Sequence, residues 1–144
     1  MIGIAVGISV GLDIRGGLSP FNEVLPVISG TGVVGQTLTT TNGTWDGALP
    51  FIYTYQWNRN GLPILGATSS TYVLVSADAN TSITCVVTAT NPIGSNSASS
   101  NAITVISYEQ SLINAFKTRV AADGGTFEAE ACLNAQLTKL NNIA

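Results

Sequence analysis

The stretch YTYQWNRNGLPILGATSSTYVL, residues 53–74, decides the fold class predicted for this chain. Its first part alternates, so that Tyr53, Tyr55 and Trp57 share one face of an extended chain and polar side chains share the other. Asn60 and Gly61 come next, and this dipeptide is typical of a two-residue turn between antiparallel strands. The stretch therefore predicts a β-hairpin with one buried face.

Short alternating segments continue on both sides of this hairpin. In a later one, Ile83, Cys85 and Val87 alternate with threonine and valine. Several short strands of this kind, separated by turn residues, are typical of an antiparallel sandwich. We therefore predict a mainly β fold, with a β-sandwich over residues 25–106 and strands at residues 26–29, 36–41, 52–59, 63–65, 71–75, 82–90 and 98–106.

Three segments in order, VGQTLTTTNGTW (residues 34–45), residues 53–74 and ITCVVTATNPIGS (residues 83–95), resemble the immunoglobulin-like domains of bacterial surface and bacteriophage virion proteins. In this resemblance Trp57 matches the core tryptophan of the third strand, and Cys85 matches the second cysteine position. Thr40 stands at the first cysteine's place and Ile83 at the tyrosine-corner position. The resemblance thus implies an immunoglobulin-like β-sandwich without the inter-sheet disulfide and without that corner.

The chain opens with IGIAVGISVGL, residues 2–12, in which large and small side chains alternate without exception. This period of two predicts a strand. The run carries no positive charge before it, unlike a signal peptide, and is too short for a membrane helix. Residues 13–26, rich in glycine and proline, are interpreted as a linker. An unpaired strand of this kind would aggregate, so it either completes a sheet of its own domain or pairs with another chain. We favour the second because the linker separates it from the sandwich.

The end of the chain predicts two short helices. Leu112, Phe116 and Val120 form one apolar face, and Gly124 and Gly125 end the first helix. The second is predicted over residues 127–141, with an apolar face of Leu133, Leu137 and Leu140. Together they predict a helical hairpin that docks on a neighbour. The segment FKTRVAADGGTFEAEACLNAQLTKL, residues 116–140, also resembles tails of structural proteins from phages of Bacteroidota hosts.

The composition argues against several kinds of chemistry. Charged residues make up 9% of the chain, the net charge is −3, and histidine is absent, so nucleic-acid binding and transition-metal sites are not expected. Cys85 and Cys132 are expected to be free thiols. Asp46 and Asp78 sit beside turn residues, where we expect turn or cap roles. With no nucleophile beside a base and no paired carboxylates, we expect neither catalysis nor a cofactor.

The aromatic side chains of the sandwich leave two interpretations open. Trp45, Phe51, Tyr53 and Tyr55 either fill the core or an interface, as such residues more often do, or form a platform on which sugars stack. The second interpretation would give weak contact with host-surface glycans.

These patterns predict a chain with three parts: an N-terminal arm and linker (1–24), an immunoglobulin-like β-sandwich (25–106) and a helical tail (107–144). The leading hypothesis is a bacteriophage virion structural protein, located in the virion as a capsid decoration, tail or short fibre component. It would form a homo-oligomer and contact other virion proteins, with no membrane partner. The alternative is an adhesion or glycan-binding module of a bacterial cell surface. The residues predicted to mediate assembly are Ile2, Ile4, Val6, Ile8, Val10, Leu12, Leu112, Phe116, Leu133 and Leu137.

Overall fold

The computed structural model of the protein describes residues 18–122. This part of the chain is mainly β, as predicted, and ends in an α-helix. Its elements are β1 (Phe21–Val24), β2 (Ile28–Ser29), β3 (Thr37–Thr40), β4 (Thr44–Asp46), β5 (Ile52–Arg59), β6 (Leu62–Pro63), β7 (Thr71–Val73), a 3₁₀ helix (Ser76–Asp78), β8 (Ser82–Asn91), β9 (Gly94–Ser99), β10 (Ile103–Thr104) and α1 (Tyr108–Ala122).

The strands form three antiparallel sheets. The largest has the order β10–β8–β5–β6, and β9 also pairs with β8 further along that strand. Its centre is the long pairing of β5 with β8, in which Trp57 lies opposite Cys85. The second sheet has the order β2–β3–β7, and the third consists of β1 and β4. Along the chain β1 directly precedes β2, and β4 directly follows β3. The β1–β4 pair therefore continues the β2–β3 pair in the same layer.

The core lies between the largest sheet and the β2–β3–β7 sheet. In β8 every second residue is buried, and Ile83, Cys85 and Val87 are fully covered. They pack with Leu38 of β3 and Trp57 of β5 in one apolar cluster. Burying side chains of this size is worth about 1.5–3 kcal/mol each, so this face dominates the stability of the β-sandwich-like unit.

A buried carboxylate ties β7 to β5. Asp78 is fully buried, and its Oδ1 accepts a hydrogen bond from Arg59 Nε at 2.7 Å. Its Oδ2 accepts bonds from the Tyr72 hydroxyl at 2.9 Å and from the Val75 amide at 2.7 Å. The Tyr72 ring also stacks on Trp57, with centroids 5.6 Å apart. This cluster fixes the edge strand β7 against the largest sheet.

Two strands were missed by the sequence prediction. The sequence indicates a linker over residues 13–26, but Phe21–Val24 form β1, which pairs with β4, itself unpredicted. The pairing is irregular, with a register shift between Asn22 and Val24. The Asn22 side chain fills the irregularity by donating to the carbonyls of Val24 and Thr44. Such short, bulged strands carry too little alternation to be recognised from sequence.

The strand predicted over residues 98–106 is divided into β9 and β10 in the structure. The division falls at Ser100 and Asn101, whose side chains replace ladder hydrogen bonds. The Ser100 hydroxyl accepts the Cys85 amide at 2.9 Å. The Asn101 side chain turns to the other sheet, where it accepts the Ile28 amide at 2.7 Å and donates to the Ile28 carbonyl at 3.3 Å.

Candidate functional site

The described chain leaves the sandwich at two opposite ends. At one end, which we call the Asn91 pole, the Leu18 carbonyl accepts a hydrogen bond from Asn91, the last residue of β8. At the other end, the helix pole, the Asn80 amide donates to the Val105 carbonyl just before β8 begins. β8 is 10 residues long, so the two poles lie about 30 Å apart. The described chain therefore begins at one end of the sandwich and enters α1 at the other.

Asn91 organises its pole through one buried side chain. Its Nδ2 donates to the carbonyls of Leu18 and Ala48, at 2.8 and 2.9 Å. Its Oδ1 accepts the amides of Ile93 and Gly94, at 2.9 and 3.0 Å. The full hydrogen-bonding capacity of this amide is thus used. It holds together the chain entry, the loop before β5 and the β8–β9 turn.

The surface around Asn91 is apolar. The side chains of Leu18, Leu49, Ile52 and Ile93 are each roughly half to three-quarters exposed. Asn91 binds the Leu18 carbonyl and the Ile93 amide directly. Leu49 follows Ala48, whose carbonyl Asn91 also binds. The first described residue, Leu18, thus belongs to an apolar surface.

The helix pole carries α1. Ser107 caps this helix, since its hydroxyl accepts the Gln110 amide at 3.0 Å. None of the 15 residues of α1 is buried, and Tyr108, Leu112 and Phe116 form an exposed apolar stripe with spacing i, i+4, i+8. A cleft of about 310 Å³ separates the first turn of α1 from Val34 and the 3₁₀ helix.

Of the residues predicted to mediate assembly, the structure places Leu112 and Phe116 together on this stripe, 54% and 44% exposed. A 15-residue helix without a packed face is marginally stable alone, so the stripe favours contact with another element. The other predicted assembly residues lie outside the described part of the chain: Ile2, Ile4, Val6, Ile8, Val10, Leu12, Leu133 and Leu137.

The aromatic residues considered as a sugar platform are largely covered. Trp45 is 8% exposed, and its indole N–H donates to the Asn42 carbonyl at 2.7 Å. The Tyr55 hydroxyl donates to the Asn42 side chain at 2.7 Å. Phe51 and Tyr53 pack against the small cluster that contains Trp45. The core interpretation of these residues is therefore the one that their contacts favour.

Both candidate carboxylates take turn or cap roles, and Asp78 in addition pairs with Arg59 of β5, a long-range contact that the sequence did not predict. Asp46 accepts the Gly47 amide, and Asp78 accepts the Val75 amide at the start of the 3₁₀ helix. This confirms the predicted turn and cap functions. Within residues 18–122, no group of histidine, cysteine, aspartate or glutamate side chains is arranged to hold a metal ion.

Cys85 is a free, buried thiol, as expected, whereas Cys132 lies outside the described residues. Burial raises the pKa of the Cys85 thiol above its ordinary value. Hydrogen bonds involving the Gln56 backbone and the Thr40 side chain offset part of this rise. The thiol is therefore protonated at neutral pH and unsuited to act as a nucleophile.

Sequence reasoning missed Asn91 and Asn101. Each is an asparagine near the end of a strand pattern, where asparagine normally indicates only a turn. The Asn91-Pro92 dipeptide was the one available signal, because Asn-Pro favours turn initiation. The partners of both side chains are up to 73 positions away in sequence and could not be inferred from local patterns.

Comparison of the chain with protein-family models, curated proteins and solved structures found no match. Among the helices of residues 18–122, none has the length and apolar character needed to cross a membrane.

Proposed function

We propose that this protein is a bacteriophage virion structural protein that assembles through its N-terminal strand and its helical tail and displays an immunoglobulin-like β-sandwich. The observation that carries the proposal is that Leu18, which the arm precedes, and α1, with which the tail begins, lie at opposite poles. A unit with an attachment segment at each end is suited to link or space neighbours in a repeated assembly. The low charge of the chain, 9%, also suits a protein whose surface is largely covered by others.

The immunoglobulin-like part of the proposal rests on the arrangement of the core. Trp57 and Cys85 are paired across β5 and β8, and both are fully buried. Thr40 of β3, in the facing sheet, is buried and lies near enough to the Cys85 thiol to offset part of the rise that burial causes in the pKa of that thiol. This is the relationship expected if Thr40 occupies the position of the first cysteine.

Mass spectrometry of purified particles, from the phage whose genome carries this sequence, tests the proposed function. We expect the full-length chain in stoichiometric amounts, retained through density-gradient purification. Antibody labelling against the sandwich, viewed by negative-stain electron microscopy, should mark one repeated position on the capsid, tail or fibre. Absence of the chain from pure, infectious particles would contradict the proposal.

A glycan array with the purified full-length chain separates the proposal from the cell-surface adhesin alternative. A virion structural role predicts no saturable glycan signal that depends on the sandwich aromatics. The matched variant is Tyr53→Ala, since Tyr53 is a partly exposed member of the aromatic group. Saturable binding that is lost in this variant, together with absence from particles, would instead support adhesion.

A further inference from the structure

The edge strand β7 presents unpaired backbone to its outer side. The Leu74 amide donates to the Gln36 carbonyl, and the Thr40 amide donates to the Ser70 carbonyl. With Leu38 opposite Tyr72, the alternation of an antiparallel ladder turns the backbone groups of the intervening residues, Thr71 and Val73, away from β3. No further strand of residues 18–122 pairs with β7 on that side.

An uncharged groove runs beside this edge. It has a volume of about 310 Å³ and lies between β7 and the segment of residues 64–69. Leu65 and Val73 give it exposed apolar side chains, with Leu65 fully exposed and Val73 55% exposed. No charged side chain lines it. A strand laid along β7 would place alternate side chains in this groove.

Three other edge strands of the described sheets, β2, β6 and β9, are protected against such addition. On β2, the Asn101 amide occupies both backbone groups of Ile28. On β6, Pro63 lacks an amide hydrogen. On β9, the outward amide of Ser97 is already bound by the Asn96 side chain at 2.8 Å. The uncharged edge at β7 lacks a comparable device, although charges and capping side chains are the usual protection of exposed edges.

We infer that the edge of β7 and its groove bind the N-terminal arm, residues 2–12, of a second copy of this chain. The inference rests on the proposed assembly role of the arm and identifies its acceptor. The arm's backbone would pair with Thr71 and Val73, and its isoleucine and valine side chains would enter the groove. The two surfaces match in chemistry, because residues 2–12 contain no charged residue and neither does the groove lining.

The position of Leu18 favours a second copy over the same chain. Leu18 precedes β1. In their layer, β1 and β2 form one edge, next to β4 and β3, and β7 forms the opposite edge. Leu18 also lies at the Asn91 pole, whereas Leu74, next to β7, bonds to Gly35 near the helix pole. Residues 13–17 span at most about 18 Å, so an arm folding back on its own β7 would spend much of its length crossing the sandwich.

Cross-linking between two distinguishable full-length copies tests the inference. One copy carries Gly7→Cys, the other carries Val73→Cys and a mass tag, and both carry Cys132→Ser; the native Cys85 is buried. A short bismaleimide reagent should join a tagged to an untagged chain. The control replaces Val73→Cys with Ser97→Cys on the polar edge and should show this product reduced to background. Three results would overturn the inference. They are equal yields of cross-linked product at β7 and β9, no product at all, and a product that forms only when both cysteines are on one chain.

A proline substitution gives an independent readout. Val73→Pro removes an outward amide and no ladder bond of β7, so the sandwich should keep its melting temperature within a few degrees while oligomers are lost in light scattering. Ser97→Pro is the corresponding change on β9; it removes an outward amide whose one bond is to the neighbouring Asn96 side chain, and it should leave the oligomer intact. A normal oligomer in folded Val73→Pro would overturn the inference. If the oligomer is normal in Val73→Pro but the chain is found in particles, the proposed virion function still stands. If the arm cross-links to β7 but the chain is absent from particles, the virion function alone is refuted.

Discussion

Arg59 and Asp78 form an ion pair in which only the cation reaches solvent. The Asp78 side chain is fully buried, whereas that of Arg59 is 30% exposed, and two guanidinium nitrogens lie 2.6 and 2.7 Å from the same carboxylate oxygen. Hydrogen bonding to Asp78 is the largest cause that raises the pKa of Arg59. The pair joins β5 to the segment after β7, so it holds the proposed acceptor edge in place.

Removing the cation should be costly. Arg59→Ala would leave the buried carboxylate with Tyr72 and Val75 as its remaining partners, and breaking a buried pair costs about 3–5 kcal/mol. Because Arg59 is partly exposed, we expect the lower end of that range. Urea unfolding of Arg59→Ala and Arg59→Lys should rank the variants, with lysine retaining part of the stability. A loss below about 0.5 kcal/mol, the size of an ordinary surface change, would contradict the role of the pair.

Asn91→Ala should loosen the pole from which the arm extends. The substitution leaves the buried Ala48 carbonyl without its donor and the partly covered amides of Ile93 and Gly94 without their acceptor. An unsatisfied buried group costs about 1–3 kcal/mol, and we expect a loss of stability in this range. Hydrogen exchange at these two amides should accelerate more than at the centre of β8. The control is Asn96→Ala, which removes one exposed local bond and should change stability by less than about 0.5 kcal/mol. Unchanged exchange at Ile93 in Asn91→Ala would show that this side chain does not organise the pole.

The sequence predicted those parts of the fold in which one face of a strand is continuously buried. The bounds of β5 were correct to the residue and those of β8 nearly so, because each alternates over eight or more residues. Strands such as β1 and β4 were missed, since their pairing depends on tertiary contacts, including the Asn22 side chain and the close approach at Gly43, where an added Cβ would lie 2.3 Å from the Val24 carbonyl.

For the candidate site, the sequence identified the apolar stripe of α1 and not the features of the sandwich itself. Leu112 and Phe116 are local neighbours on a helix, so their spacing sufficed. The hydrogen bonds of Asn91 to Leu18 and Ala48, the Asn101 pairing with Ile28 and the open side of β7 all depend on which segments become neighbours. None of these relationships has a signature in local sequence.

Cys85 should be inert in the native protein. Burial raises its pKa and also excludes reagents, so the thiolate is scarce and inaccessible. In a Cys132→Ser background, reaction with a thiol-specific chromogenic disulfide at pH 8 should be negligible without denaturant and stoichiometric in guanidinium. Rapid modification of the folded chain would contradict the burial of this side chain.

Tyr72 should make stability depend on alkaline pH. Burial, and then hydrogen bonding to Asp78, raise the pKa of Tyr72 above 10.0 in the folded state. The neutral phenol is therefore favoured by folding: its contribution is complete below pH 10 and is lost as pH rises through the folded pKa. The free energy of unfolding should exceed that of Tyr72→Phe at pH 8, and the difference should shrink above pH 10. A difference that stays constant or grows over this range would contradict the assigned direction.

Charges on the stripe of α1 should abolish assembly without unfolding the sandwich. Leu112→Asp with Phe116→Asp places two carboxylates on a face that we expect to be covered, where each unpaired charge is strongly disfavoured. Neither residue is buried within its own chain, so the melting temperature of the sandwich should change little. Asn114→Asp is the matched control, because Asn114 lies on the opposite face of the helix and the new carboxylate can still accept the Gln110 amide.

Light scattering on the full-length variants measures whether the α1 stripe mediates assembly. Loss of oligomers in the double variant but not in Asn114→Asp would support the tail as an assembly element, whereas an unchanged oligomer would leave the arm as the only candidate.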